Sequence, residues 1–479
     1  MPFSVFFPAT IGPFHRVADD AAESRIDHVR CSFHNDSIGP FEYGGELFIV
    51  VMRRDVAAIA VYASPDGVAW AEADTVNHPI CHQNLWDVST GDPTYDPPGM
   101  MCYSGQQDPY NRALLHVAYL KTDFTLAIGT FDISNRIWIA NRTGGPSFDT
   151  TASPRNFGPW KLGVSTESNF YVAWADDNAV IQLVGCNNAG TWSSKTAIAS
   201  STSESHVVGF ANGIGGRVHL VYELKNAGGA NPFLEKIRTI RPPGGGSVVD
   251  SPFLGTEHQF GSWKYEFGGL DPYMNLVAQP YGYDGSNIEI LVAYQRIKNS
   301  ATLETATFIA RGASVDDITL TVETVMSPVS NFQAHPPGVW STESDGPHCC
   351  SVAIDSGLYP VVIWGYVNQG GFPVSRPVYY SRYISGAWEP KVLIYSFPSG
   401  SGIGDRVKAA SVGSLVSGFG LAINFTADAY NSFNGLDMQD SIGGHPASEL
   451  PKTYSVQRYL YSYGIPTSSI PMFPELIGP

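Results

Sequence analysis

The sequence predicts an all-β fold, a β-propeller of seven blades, and three observations predict it. A two-strand unit recurs seven times, four of the units run on into a polar turn that ends in Trp, and convincing helical periodicity is absent. One four-stranded sheet cannot bury both of its faces alone. Such units therefore stack around an axis and bury their faces on one another. Six blades are the alternative, should the last unit (419–460), with its long insertion, not form one.

The first strands of the units are runs of β-branched and aromatic residues at 46–52 (ELFIVVM), 114–120 (LLHVAYL), 169–174 (NFYVAW), 218–223 (VHLVYE), 288–294 (IEILVAY), 360–365 (PVVIWG) and 419–425 (FGLAINF). Their starts are 49 to 72 residues apart. The returning strands are 59–63, 125–131, 180–185, 233–240, 305–310, 378–383 and 454–460, each closing a hairpin. Four of them enter turns that lead to Trp70, Trp138, Trp192 and Trp388 (SPDGVAW, DISNRIW, CNNAGTW, ISGAW). In these turns an Asn or Gly takes the positive φ of a tight hairpin, and the Trp covers the edge between neighbouring sheets. The segment VADDAAESRIDHV near the start is the one candidate helix. Ring closure is expected to pair the two chain ends, with SVFF at 4–7 beside the last unit near 454–463. The propeller domain is then 1–464, and 465–479, with four prolines, is an extended tail.

Composition narrows the function. Of the 479 residues 43% are hydrophobic and only 15% charged, enough to build a large core. A formal net charge of −16 without a basic run excludes nucleic acid as an expected partner. No apolar stretch reaches the roughly 18 residues of a membrane span, so no membrane insertion is expected. The start, MPFSVFFPAT, lacks the basic and apolar regions of a signal peptide, which makes a cytoplasmic or virion location the expectation. Cys31, Cys81, Cys102, Cys186, Cys349 and Cys350 lack zinc spacing and read as free, buried thiols. With no ligand motif for an ion, and DDNAV at 176–180 read as a hairpin turn, neither metal nor cofactor is expected.

At Ser64, Asp66, Gly67 and Trp70 the chain resembles the Asp-box, the hairpin repeated in sialidases and other BNR-repeat propellers. The resemblance implies structural roles. The Ser and Asp oxygens accept backbone N–H groups, Gly permits the turn, and Trp packs inward, away from a catalytic face. The segments HNDSIGPFEYGGELFIVV from His34 and HCCSVAIDSGLYPVVIW from His348 are similar to the His-led blade openings of BNR-type polysaccharide lyases. His82 and His206 hold similar leading positions, and STES recurs at 165–168 and 341–344, with STSES at 201–205. Read as loops entering inner strands, these converge on one channel mouth. That reading brings His34, His82, His206 and His348 into one pocket with Glu167, Glu204 and Glu343, and Trp340 supplies an aromatic platform for a sugar face.

Two functions compete. In the first, the chain is a non-enzymatic, glycan-facing recognition or assembly module of a virion or tail, whose partners are a cell-surface or extracellular glycan and neighbouring virion subunits. In the second it is a polysaccharide lyase, with His as base beside a uronate, or a hydrolase with two facing carboxylates. The sialidase segment Phe/Tyr-Arg-Ile-Pro is missing, so sialidase activity itself is not expected. An enzyme requires a His or carboxylate, a Tyr and an Arg within reach of one point in a cleft.

Overall fold

The computed structural model describes residues 103–263 nearly throughout, apart from the longer connections. Elsewhere it describes strands and adjoining turns within 15–80, 277–330, 350–427 and 453–459. The described residues are all β and contain no helix. None therefore crosses a membrane as a helix.

Among the described residues the strands form seven antiparallel sheets that follow one another in chain order. Two short strands come first, β1 (His15–Arg16) and β2 (Ile26–Asp27). Sheet 1 joins β2 to β3 (Phe41–Tyr43), β4 (Glu46–Arg53), β5 (Ala58–Ser64) and β6 (Ala71–Glu72), with β2 and β3 both paired to β4. Sheet 2 is β7 (Tyr103–Gln107), β8 (Leu114–Leu120), β9 (Leu126–Asp132) and β10 (Ile137–Arg142). Sheet 3 is β11 (Lys161–Val164), β12 (Phe170–Ala175), β13 (Val180–Cys186) and β14 (Thr196–Ser200). Sheet 4 is β15 (Glu204–Asn212), β16 (Val218–Lys225), β17 (Phe233–Thr239) and β18 (Glu257–Trp263). Sheet 5 is β19 (Val277–Tyr283), β20 (Ile288–Asn299), β21 (Thr302–Ser314) and β22 (Asp317–Ser330). Sheet 6 is β23 (Cys350–Ile354), β24 (Pro360–Gly365) and β25 (Arg376–Ile384), with β26 (Ala387–Trp388) and β27 (Val392–Phe397) both paired to β25. Sheet 7 is β28 (Val407–Gly413), β29 (Leu421–Ala427) and β30 (Thr453–Tyr459), completed by β1.

The fourteen apolar runs of the sequence lie on the two middle strands of each sheet. In sheets 1 to 3 burial explains the unbroken runs: β5, β8, β9, β12 and β13 are buried almost end to end, on both faces. A strand covered by sheets on either side loses the polar alternation of a half-solvated one. The outer strand β10 keeps that alternation until Arg142, which is buried. First strands lie against first strands along the series, β7 on β11, then β15, β19, β23 and β28.

SVFF at 4–7, expected beside the last unit, lies outside the described residues, and the strand seen beside β30 is β1, with His15 and Arg16 paired to Val456 and Ser455. Two other expectations change. The candidate helix gives way in part to β2, since Ile26 and Asp27 extend the β4 edge opposite Arg53 and Met52. In the turn of DISNRIW the positive φ belongs to Arg136 (56°), not to Asn135. Asp132 holds that turn by accepting the backbone N–H of Asn135 at 3.1 Å, and the Arg136 guanidinium is clamped by both oxygens of Glu46 in sheet 1, at 2.8 and 2.9 Å. In CNNAGTW the glycine does take the strained position, Gly190 at φ 84°. Asp176 makes the hairpin turn read from DDNAV, its Oδ1 accepting the N–H groups of Asn178 and Val180 at 3.0 Å.

Candidate functional site

The strand order sorts the residues singled out in the sequence by the end of the sheet at which they stand. Glu204 and His206 lie on β15, the first strand of sheet 4, opposite Lys225 and Glu223. His82, in the connection into β7, and Trp340, Glu343 and His348, in the connection into β23, lie outside the described residues. His34 also lies outside them, between β2 and β3. Glu167 differs from the reading of its loop: residues 165–169 join β11 to β12, so STES at 165–168 leaves a first strand rather than entering one. Glu167 itself is outside the described residues. Of the Asp-box, Ser64 is the buried last residue of β5, opposite Leu47, and Asp66, Gly67 and Trp70 lie outside the described residues.

The structure brings together two polar clusters that the sequence reading passed over. The first lies at the seam of sheets 2 and 3. His116 and Thr130 face each other across β8 and β9, with His116 Nδ1 2.9 Å from Thr130 Oγ1. His116 Nε2 lies 2.9 Å from Asp108 Oδ2, just past β7. Arg142 Nη1 donates to Thr130 Oγ1 at 2.7 Å, and its Nη2 and Nε donate to the side chain and backbone oxygens of Asn188 in sheet 3, at 2.5 and 3.1 Å. The guanidinium rides 4.4 Å over the Phe170 ring, which also meets the His116 ring edge-on at 4.8 Å. Burial lowers the proton affinity of His116 and outweighs the pull of Asp108. Burial also pushes the neighbouring Cys186 thiol up to about 12, against the charge of Arg142. The His–Thr pair recurs two sheets later, where Thr239 Oγ1 lies 3.2 Å from His219 Nδ1 across β16 and β17.

The second cluster joins three strands of sheet 4. Tyr222 stands opposite Lys236, and Arg238 opposite Glu257. Tyr222 and Lys236 each donate to a carboxylate oxygen of Glu257, and Arg238 Nη2 lies 3.9 Å from it. Burial alone would raise Glu257, but the hydrogen bonds from Lys236 and Tyr222 hold it below the ordinary carboxylate value. Burial, then Glu257, pushes the Tyr222 phenol up. A tyrosine, a carboxylate and an arginine thus meet, as an enzyme requires, but the tyrosine is fully buried in the apolar cluster of sheets 3 and 4 and the carboxylate is already satisfied. Arg238 Nη1 donates to the Ile198 carbonyl of sheet 3 at 3.0 Å, so the group ties two sheets together. Among the described residues there is no group of three or more His, Cys, Asp or Glu that could hold a metal ion.

One sequence signal pointed to the first cluster: a histidine inside the otherwise apolar run LLHVAYL. Its partners Asp108, Arg142 and Asn188 carried no such signal.

No protein-family model matches the chain, and no curated protein matches it in sequence. Among solved structures it is similar to an ulvan lyase of polysaccharide lyase family PL25, at 11% identity and a TM-score of 0.39, covering 68% of this chain and 78% of the lyase. It is similar to the six-bladed β-propeller lectin of Aleuria aurantia, at 12% identity and a TM-score of 0.37, covering 75% and 94%. It is also similar to the BP39L lectin of Burkholderia pseudomallei, at 13% identity and a TM-score of 0.43, covering 81% and 91%.

Proposed function

We propose that the chain is a seven-bladed β-propeller whose role is to recognise a glycan at the end where connections enter the first strand of each sheet. The observation that carries this reading is the order of the sheets. Seven follow in sequence, first strand lies on first strand, and β1 from the start of the chain completes the sheet of β30 from its end. Sheets stacked in this way with shared ends form a ring, and the connections into first strands then gather at one mouth. The sequence leading into or opening those first strands carries His82, Glu204, His206, Trp340, Glu343 and His348, and it is these imidazoles, carboxylates and indole that the proposal assigns to the mouth. Polar groups of this kind bind sugar hydroxyls, and an aromatic face stacks on the apolar face of the ring. In this reading the module works at a cell surface, as part of a particle that meets it.

The test is a glycan-array assay on the purified chain, followed by mass spectrometry of any sugar that binds. An intact bound sugar supports recognition. Shortened or unsaturated products make the chain a hydrolase or lyase at the same mouth, and no binding to any sugar overturns the proposal.

A further inference from the structure

We infer that Arg142, Thr130, His116 and Asp108 form a one-way hydrogen-bond relay that holds His116 as the neutral Nε2–H tautomer, and that this relay is an acid-released latch on the seam between sheets 2 and 3. The direction of the relay follows from what each group can give. A guanidinium has only donors, so Arg142 Nη1 donates to Thr130 Oγ1. At the far end Asp108 is an acceptor on both oxygens: Oδ1 takes the backbone N–H of Asn111 at 2.9 Å and Oδ2 faces His116 Nε2. The proton between His116 and Asp108 therefore sits on Nε2. The Nδ1–H tautomer would set a lone pair against the carboxylate. With Nδ1 left as an acceptor, the single hydroxyl proton of Thr130 points to it, and every donor in the chain has its acceptor.

A second proton on His116 breaks this match. Nδ1–H would then donate to an oxygen that already accepts from Arg142, and the Thr130 hydroxyl proton would lose its acceptor; among the described residues Thr130 has no other partner. Two cations would share one oxygen in a site where His116 is 1% exposed. The groups that face His116 are Asp108 after β7, Thr130 on β9, Arg142 on β10 and the Phe170 ring on β12; Cys186 on β13 lies beyond Arg142. Asp108 is the one charge among them that favours the imidazolium, and desolvation with Arg142 opposes it. Arg142 is also the group that grips Asn188 and Phe170 of sheet 3, so displacing it opens the seam. The sign follows from linkage. The folded imidazole binds its proton more weakly than the free value of 6.5, so the latch is intact above that pH and fails as the pH falls below it.

The experiment uses the native chain. Deuterium uptake at the imidazole C2–H, read by peptide mass spectrometry across a pH series, gives the protonation midpoint of His116. Backbone amide uptake over Ile137–Arg142 and Phe170–Ala175 reports the seam. The expected result is a midpoint below 6.5 and a several-fold rise in seam uptake, beyond the intrinsic pH dependence of exchange, that tracks the same midpoint. His116→Gln, which keeps a donor for Asp108 and an acceptor for Thr130 but does not titrate, should lose the rise. A midpoint at or above 6.5, a rise centred elsewhere, or a rise that survives in His116→Gln would overturn the inference. The first two are read without any substitution, so they stand even if the variant does not fold.

Discussion

Gly163 and Phe210 meet across the seam of sheets 3 and 4 so closely that a Cβ on the glycine would lie 2.7 Å from the ring Cγ and 3.0 Å from a methyl group of Val218. Both neighbours are buried and have no room to withdraw. Gly163→Ala should therefore destabilise the protein by about 1–3 kcal/mol, the usual cost of overpacking a well-filled core. A fall in the urea midpoint with an unchanged slope would show it; an unchanged midpoint would mean that the two sheets can slide apart at no cost.

Arg142 spreads three donor nitrogens over Thr130 and Asn188. A lysine keeps the charge but cannot reproduce a planar fork. Arg142→Lys should lose about 2 kcal/mol, the order expected when buried acceptors lose charged donors. Equilibrium unfolding measures it, and hydrogen exchange should locate the loosening at the seam of sheets 2 and 3.

Glu257 is held below its ordinary carboxylate value by Lys236 and Tyr222, so its contribution is present above that range and is lost as the pH falls through the folded value. Lys236→Met should flatten this part of the stability profile, leaving less to lose on acidification. Tyr222→Phe should cost about 1 kcal/mol near neutral pH, the worth of one hydrogen bond. Unfolding midpoints across an acid-to-neutral series would register both changes.

Cys186 is buried and its thiol is pushed up to about 12, so little thiolate exists near neutral pH. In the native protein it should resist maleimide, and in denaturant it should label fully. Peptide mapping of the labelled chain separates it from the other cysteines, and rapid native labelling would mean that the seam around Arg142 opens readily.

For the proposed function, Glu204→Gln and His206→Ala should weaken glycan binding by more than any change they make in the free energy of unfolding. A loss of stability equal to the loss of binding would assign these residues to the sheet instead.

Much of the fold was legible because its signals are local. Each middle strand carries its own run rich in β-branched and aromatic residues, and in β5, β8, β9, β12 and β13 that run is buried on both faces, which removes the polar alternation. Of the Trp turns, CNNAGTW was legible for the same reason: Trp192 bridges two sheets, its indole N–H donating to the Thr143 carbonyl at 3.1 Å. The pairing of β1 was not legible, because a strand as short as His15–Arg16 has no periodicity to read. The loop of Glu167 misled because STES looks the same on either side of a first strand, and only the strand order tells entry from exit.

By itself, then, the sequence determined the two middle strands of each sheet and that their faces must be covered by other sheets. Only the tertiary structure decided what meets at the seams. Arg142 and Asn188 are 46 residues apart, and neither has a neighbour in sequence that announces the other. Apolar patterning needs only the average surroundings of a residue, but a hydrogen-bond relay needs each donor within about 3 Å of its own acceptor. That distance is set by how whole sheets pack.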